Sequence, residues 1–200
     1  MPQQQSHTRP TALAVWLIIA GVAGWIAAFA LTLDRFALLK NPDAALGCNL
    51  SVLVQCGKNL ESSQGEAFGF PNPILGLAAW VAPIVVGVAI LAGARFARWF
   101  WWLFEIGMLF AFGFVLWLIG QSIFELNTLC PWCMLTWVVT IPTFYAVTIH
   151  LFRSGIVPVP SRVQRGADRL MSWVPLMAVV SYAIIAIIAQ VRLDVLSSLF

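Results

Sequence analysis

Five stretches of this chain are each long and apolar enough to cross a lipid bilayer, and that requirement governs every other feature of its fold. A helix needs about 20 apolar residues to traverse the hydrocarbon core. The stretches cover residues 11–33, 74–94, 99–124, 130–152 and 173–191. Pro83, Pro142 and Pro175 fall inside them, which a bundle tolerates because neighbouring helices and polar side chains re-satisfy the freed backbone groups. Charged residues make up only 10% of the chain, against about 25% in a soluble domain, so lipid is its solvent. The net charge of +3 is spread over loops and gives no footprint for nucleic acid. The expected class is an all-α integral membrane protein. Ala28-Phe29-Ala30 resembles a signal-peptide cleavage site. The apolar run before it exceeds the usual h-region of about 7–15 residues, so it reads as a retained span.

Lys and Arg set the orientation, since they concentrate in cytoplasmic loops. With the N-terminus inside, the inner segments hold Arg9, Arg95, Arg98, Arg153, Arg162, Arg165 and Arg169, and the outer ones Arg35, Lys40, Lys58 and Arg192. This bias places the N-terminus in the cytoplasm and the C-terminus outside. All four cysteines then lie on the outer side, where thiols can be held oxidised. Cys48 and Cys56 fall in the long first loop, residues 34–73. Cys130 and Cys133 open the fourth helix.

Cys130-Pro131-Trp132-Cys133 is the strongest local signal. A Cys-x-x-Cys pair on a first helical turn can close a small disulfide, and the unpaired N–H groups and dipole there favour a thiolate. Both effects poise the pair for exchange, and Pro131 suits a position whose N–H is not needed. Cys48 and Cys56, eight residues apart, cannot be neighbours on a helix face. They can meet if the loop folds back, which Gly47 and Gly57 permit. Two pairs on one side suggest a relay, one facing a soluble partner and one facing the membrane. Two alternatives stand beside it: buried structural cysteines, and a four-thiolate metal site. The first pair is Cys-x7-Cys rather than the Cys-x2-4-Cys usual for structural zinc, so no metal is expected.

Beneath the second pair, Phe110, Phe114, Trp117 and Gln121 repeat at helical spacing on the third helix, and Cys133, Trp137 and Thr140 on the fourth. With Trp132 from the turn, these stripes could line an aromatic pocket for a planar ligand. For any single aromatic of these stripes, plain bundle packing is the stronger reading. Glu105 is the only charge inside the third span and is expected near its cytoplasmic end. Gly107 with Ala111, and Ala89 with Gly93, are candidates for close helix packing. His7 and His150 have no partner visible in the sequence.

The combination of Cys48-x7-Cys56, then Ser62, then Phe68-Gly69-Phe70-Pro71-Asn72-Pro73, then Cys130-x-x-Cys133 resembles the vitamin K epoxide reductase (VKOR) family over about residues 12–152. The resemblance implies a four-helix transmembrane bundle around a quinone, menaquinone or ubiquinone, capped by the first outer loop. It implies a catalytic unit over residues 1–152, followed in 153–200 by a basic cytoplasmic loop and a fifth span. It further implies a bacterial inner-membrane enzyme that oxidises an extracytoplasmic thioredoxin-like (DsbA-like) partner and reduces quinone, so that exported proteins acquire disulfides. Bacterial relatives often carry a fused thioredoxin-like domain, and since this sequence stops at Phe200 a separate partner is expected. By motif, Cys48 would exchange with the partner, Cys56 would pair with Cys130, and Cys133 would face the quinone. Asn72 would bond a quinone carbonyl, Ser62 would lie near the active pair, and Trp137 would replace a Tyr donor of some members. A DsbB-type disulfide-bond formation protein does similar chemistry but carries its two kinds of cysteine pair in the opposite order. A metal-binding membrane protein is the alternative from another class.

Overall fold

The structure, a computed structural model, describes residues 10–194. His7 and Arg9 lie outside the described residues. Among the described residues, five helices are long and apolar enough to span a membrane. They are α1 (Thr11–Lys40), the pair α3 (Asn72–Ala79) and α4 (Val81–Leu91), α5 (Arg98–Gly120), α6 (Pro131–Arg153) and α8 (Val174–Leu193). The short α2 (Gly57–Glu61) lies in the long loop between α1 and α3, and α7 (Ser161–Met171) follows α6. This is an all-α membrane protein, as expected.

α1 runs past the end of its apolar stretch and carries Asp34 and Arg35 on helical turns rather than in a loop. Nothing in 34–40 breaks a helix. Asn41 takes an extended backbone conformation, as the residue before Pro42 must, because the proline ring disfavours the α region at its predecessor. The second span is interrupted at Trp80, four residues after Gly76 and three before Pro83, where a proline ring crowds the carbonyl of residue 79.

α1 and α6 form the centre of the bundle. α3 and α4 pack on α1, while α5, α7 and α8 pack on α6. The α1/α4 seam is close because glycine occupies it. A side chain at Gly87 would meet the Ala14 carbonyl oxygen at 2.6 Å, and one at Gly24 would meet the Trp80 ring. The small pairs anticipated for such packing behave differently. A Cβ on Gly107 would meet nothing within 4 Å, and Gly93 sits in a turn with φ 94°. Trp16 Nε1 donates to Thr143 Oγ1 at 3.0 Å, tying α1 to α6. Ile106, Leu109, Val179 and Ile187 point outward, toward the lipid that five spans require.

α8 is held by a consequence of Pro142. A proline at this position cannot donate to the carbonyl four residues before it, here that of Val138. The Tyr182 hydroxyl of α8 donates to that carbonyl at 2.6 Å, and Tyr145 and Ser181 hydroxyls meet at 2.9 Å one turn away. At the other end, the Arg98 guanidinium donates twice to the Ile156 carbonyl, at 3.1 and 2.6 Å. Glu105 accepts from Thr148 Oγ1 at 2.6 Å, an α5–α6 link within the membrane.

Candidate active site

The four cysteines converge where the loop between α1 and α3 rests on the start of α6. Cys48 and Cys56 form a disulfide, so the loop does fold back. Cys130 and Cys133 are free thiols. Cys130 Sγ lies 3.4 Å from Cys56 Sγ, and both residues are fully buried. Leu31, Leu38, Leu46 and Leu60 surround the sulfurs with apolar surface.

Three sets of polar contacts fix this register between segments far apart in sequence. Loop and turn pair as a minimal bridge: Leu129 N–H donates to the Leu53 carbonyl at 2.8 Å and Gln55 N–H to the Leu129 carbonyl at 3.0 Å. Asn49 Oδ1 accepts from the N–H of Cys56 at 2.9 Å and of Gly57 at 3.3 Å, satisfying donors at the start of α2. Asn59 Nδ2 donates to Thr128 Oγ1 at 2.9 Å, and its Oδ1 accepts from Ser122 Oγ at 3.1 Å. All three of those side chains are buried, where an unpaired polar group is costly. The connection from α5 helps. It loosens into a π-helical turn (Gln121–Leu126) and reverses at Asn127, in the left-handed region at φ 50°. π turns recur at functional sites.

Cys130 caps α6: its Sγ accepts from the Cys133 N–H at 3.4 Å, and Pro131 takes the first helical position. The Cys133 thiol donates to it as well, and with the backbone N–H groups this holds Cys130 below the ordinary thiol range, against an upward push from burial.

Cys133 faces the other way, into a cavity of about 800 Å³ between α1, α3, α4, α5 and α6. Its walls are apolar, including Val85, Leu103, Phe110 and Phe114, with Trp137 and Thr140 below Cys133. Ser62, Gln64, Asn72 and Gln121 edge it at the end beneath the loop. Ser62 Oγ donates to the Asn59 carbonyl at 2.7 Å and accepts from Gly65 N–H at 3.1 Å. Asn72 Nδ2 donates to the Gln64 carbonyl at 2.6 Å, and its Oδ1 accepts from Ala67 N–H at 3.1 Å. Both residues thus shape the rim through the loop backbone. Gln64 Nε2 donates to Gln121 Oε1 at 3.2 Å across it. Trp117 is not among the cavity walls and instead stacks on Phe114 with ring centroids 5.7 Å apart. Trp132 borders a second, more open cleft beside Cys48, with Asp34, Gly47 and Leu50.

Sequence reasoning passed over Asp34, Asn49, Asn59, Gln64, Ser122 and Thr128. The available signal was position: Asn49 adjoins Cys48, and Thr128 precedes Cys130 by two. A family model described as Vitamin K epoxide reductase family matches residues 15–148, which contain all four cysteines and both cavities' walls. No curated protein matches the chain.

Proposed function

The chain belongs to the vitamin K epoxide reductase family, a membrane thiol–disulfide oxidoreductase family, and from that premise we propose that it oxidises an extracytoplasmic thioredoxin-like protein and reduces a membrane quinone. The observation that carries this reading is the unbroken row of sulfurs. It begins at Cys48 on the open cleft, passes through the 3.4 Å approach of Cys56 to Cys130, and ends at Cys133 on the cavity. A disulfide can only hand on electrons to a sulfur within reach of attack. With Cys48–Cys56 oxidised and Cys130 and Cys133 reduced, the molecule stands with its electrons on the inner pair.

The relay follows. The partner's two thiols reduce Cys48–Cys56 and leave as a disulfide. The Cys56 thiolate attacks Cys130 of the Cys130–Cys133 disulfide and releases Cys133. Cys48 then attacks Cys56, restoring the outer disulfide and freeing Cys130. Cys130 and Cys133 would then close to a disulfide again, and a quinone held in the cavity, menaquinone or ubiquinone, would accept their two electrons and two protons. The cavity fits such a group: about 800 Å³ lies within the usual range for ligand sites of about 300–1,000 Å³, with apolar walls and a polar outer rim. Cys133, Phe114 and Trp137 would hold its ring, with Ser62 and Asn72 shaping the rim. Trp117 backs Phe114, and Trp132 flanks the partner's cleft.

The remaining assignments rest on charge and topology. Arg95, Arg98, Arg153, Arg162, Arg165 and Arg169 gather at the end of the bundle opposite the sulfurs, supporting a cytoplasmic N-terminus and an extracytoplasmic active site in a bacterial inner membrane. Residues 1–152 serve as the catalytic unit, and 153–200 add the basic segment and fifth span.

The test is quinone reduction by purified protein in detergent, driven by a reduced thioredoxin-like protein. Cys133→Ala should stop turnover. Cys48→Ala should stop only the partner-driven reaction while a small thiol still works. No quinone reduction by the wild type would sink the reading, and bound metal would be assayed next.

A further inference from the structure

The cleft beside the outer disulfide contains one carboxylate that the relay leaves without a task. Asp34 Oδ2 lies 3.3 Å from Cys48 Sγ, and its carboxylate and the sulfurs of Cys48 and Cys56 all fall within 4.8 Å of one another. The extension of α1 beyond its apolar stretch puts it there. Cys48 carries no S–H while it is bonded to Cys56, so the approach becomes a hydrogen bond only when the disulfide opens. The neighbouring charge on α1, Arg35, is committed to Glu66 at 2.6 Å and does not neutralise Asp34. The groups facing Asp34 from the loop are the sulfurs of Cys48 and Cys56. From the start of α6, Cys130 feels its charge. Leu33, Gly47, Leu50, Pro131 and Trp132 are among the other cleft walls, and the cleft is open.

We infer that Asp34 is the acid–base catalyst of the outer disulfide, taking the proton of an incoming thiol and returning it to Cys48. This rests on the reading of Cys48–Cys56 as the pair that meets the thiol donor. In the first step the donor's thiol gives its proton to the Asp34 carboxylate, and its sulfur attacks Cys48 Sγ. The donor–Cys48 bond forms, the Cys48–Cys56 bond breaks, and Cys56 leaves as thiolate beside Cys130. In the second step another donor thiol loses its proton to water and attacks the donor sulfur of the mixed disulfide. Cys48 leaves and takes the proton held by Asp34. Two electrons have passed from the donor, now a disulfide, to Cys48 and Cys56.

The step can be isolated without quinone. The full chain in detergent is mixed with free cysteine, quenched in acid, denatured and alkylated to count released Cys56, comparing wild type with Asp34→Asn. General acid–base groups contribute about 10²–10⁴-fold. The variant should therefore open its disulfide at least about tenfold more slowly at pH 7. The gap should close as the pH passes the cysteine thiol's own pKa of about 8.5, because a donor already ionised needs no proton acceptor. Equal rates at pH 7, a faster variant, or a deficit unchanged about one pH unit above the thiol pKa would each overturn the assignment. A misfolded variant would give that last result, not recovery with pH. Failure of the quinone reading leaves this measurement intact, since no quinone is present. Equal rates alongside normal wild-type quinone turnover would remove only Asp34.

Discussion

Cys130 is the sulfur on which both pairs depend, because it touches Cys56 on one side and receives the Cys133 thiol on the other. Its lowered pKa means that its thiolate persists to lower pH than that of an ordinary cysteine and is lost as the pH falls through that lowered value. Cys133→Ala removes the donor that contributes most, while burial, which pushes upward, stays. The thiolate of Cys130 should then appear only at higher pH, and a difference titration of thiolate absorbance should show the midpoint moving up. No upward movement would mean that the backbone N–H groups alone set the shift. Asn59 is the second residue of consequence, since its side chain bonds the hydroxyls of both Thr128 and Ser122 below the sulfurs. Asn59→Ala strands two buried hydroxyls, at a cost of about 1–3 kcal/mol. Thermal unfolding in detergent should show that loss, with slower exchange between the two pairs. Little of this was legible in the sequence: Cys130-Pro131-Trp132-Cys133 announces its chemistry by spacing, whereas Asn59 and Thr128 are 69 residues apart and acquire meaning only in contact.

At the scale of elements, Pro142 shows how a helix defect becomes an attachment point. The carbonyl it leaves free in α6 is the one Tyr182 of α8 reaches. In lipid no water can replace that donor, so Tyr182→Phe should weaken the docking of α8. Interhelical hydrogen bonds in membranes are worth about 0.6 kcal/mol on average and up to about 1.7, and unfolding in mixed micelles should report a loss of that order. An unchanged stability would mean that apolar packing alone holds α8. The helices themselves were readable in advance, because a span of about 20 apolar residues is a local property. Their ends were readable only where a breaker stands, as Pro42 does after α1. α7 lay hidden in a segment that read as a basic loop. Its arginines at 162, 165 and 169 follow helical spacing, yet Ala167 is its only buried residue, which is too little apolar signal to announce a helix.

The whole molecule is built around two openings on one row of sulfurs. The cleft lined by Asp34, Cys48 and Trp132 lies on the loop side of the sulfurs, while the cavity at Cys133 extends away from them between α4 and α5. α4 leans on α1 and α5 on α6, and the space between them is bordered by Val85, Leu103 and Gly107. Gly107 has open space where a side chain would go, so Gly107→Phe should fit without strain and fill the cavity. It should raise the KM for quinone by about tenfold, equivalent to about 1.4 kcal/mol of lost binding. Opening of Cys48–Cys56 by a thiol should proceed at the wild-type rate. A variant with unaltered quinone kinetics would place the quinone elsewhere.

What the sequence determined by itself was whatever depends on neighbours along the chain. Hydropathy over single spans gave five membrane helices, Lys and Arg gave an expected orientation, and Cys-x-x-Cys on a first turn raised the expectation of a redox pair. What the tertiary structure decided was whatever depends on distant segments meeting. Cys56 reaches Cys130 across 74 residues because a two-residue backbone bridge and a buried Asn–Thr–Ser network hold the loop down. Phe114 faces the cavity while Trp117, three residues on, does not, because the bundle selects which face of α5 turns inward. Asp34 meets Cys48 because α1 continues two turns beyond its apolar stretch, and no local pattern encodes where the loop will lay its sulfur against that helix.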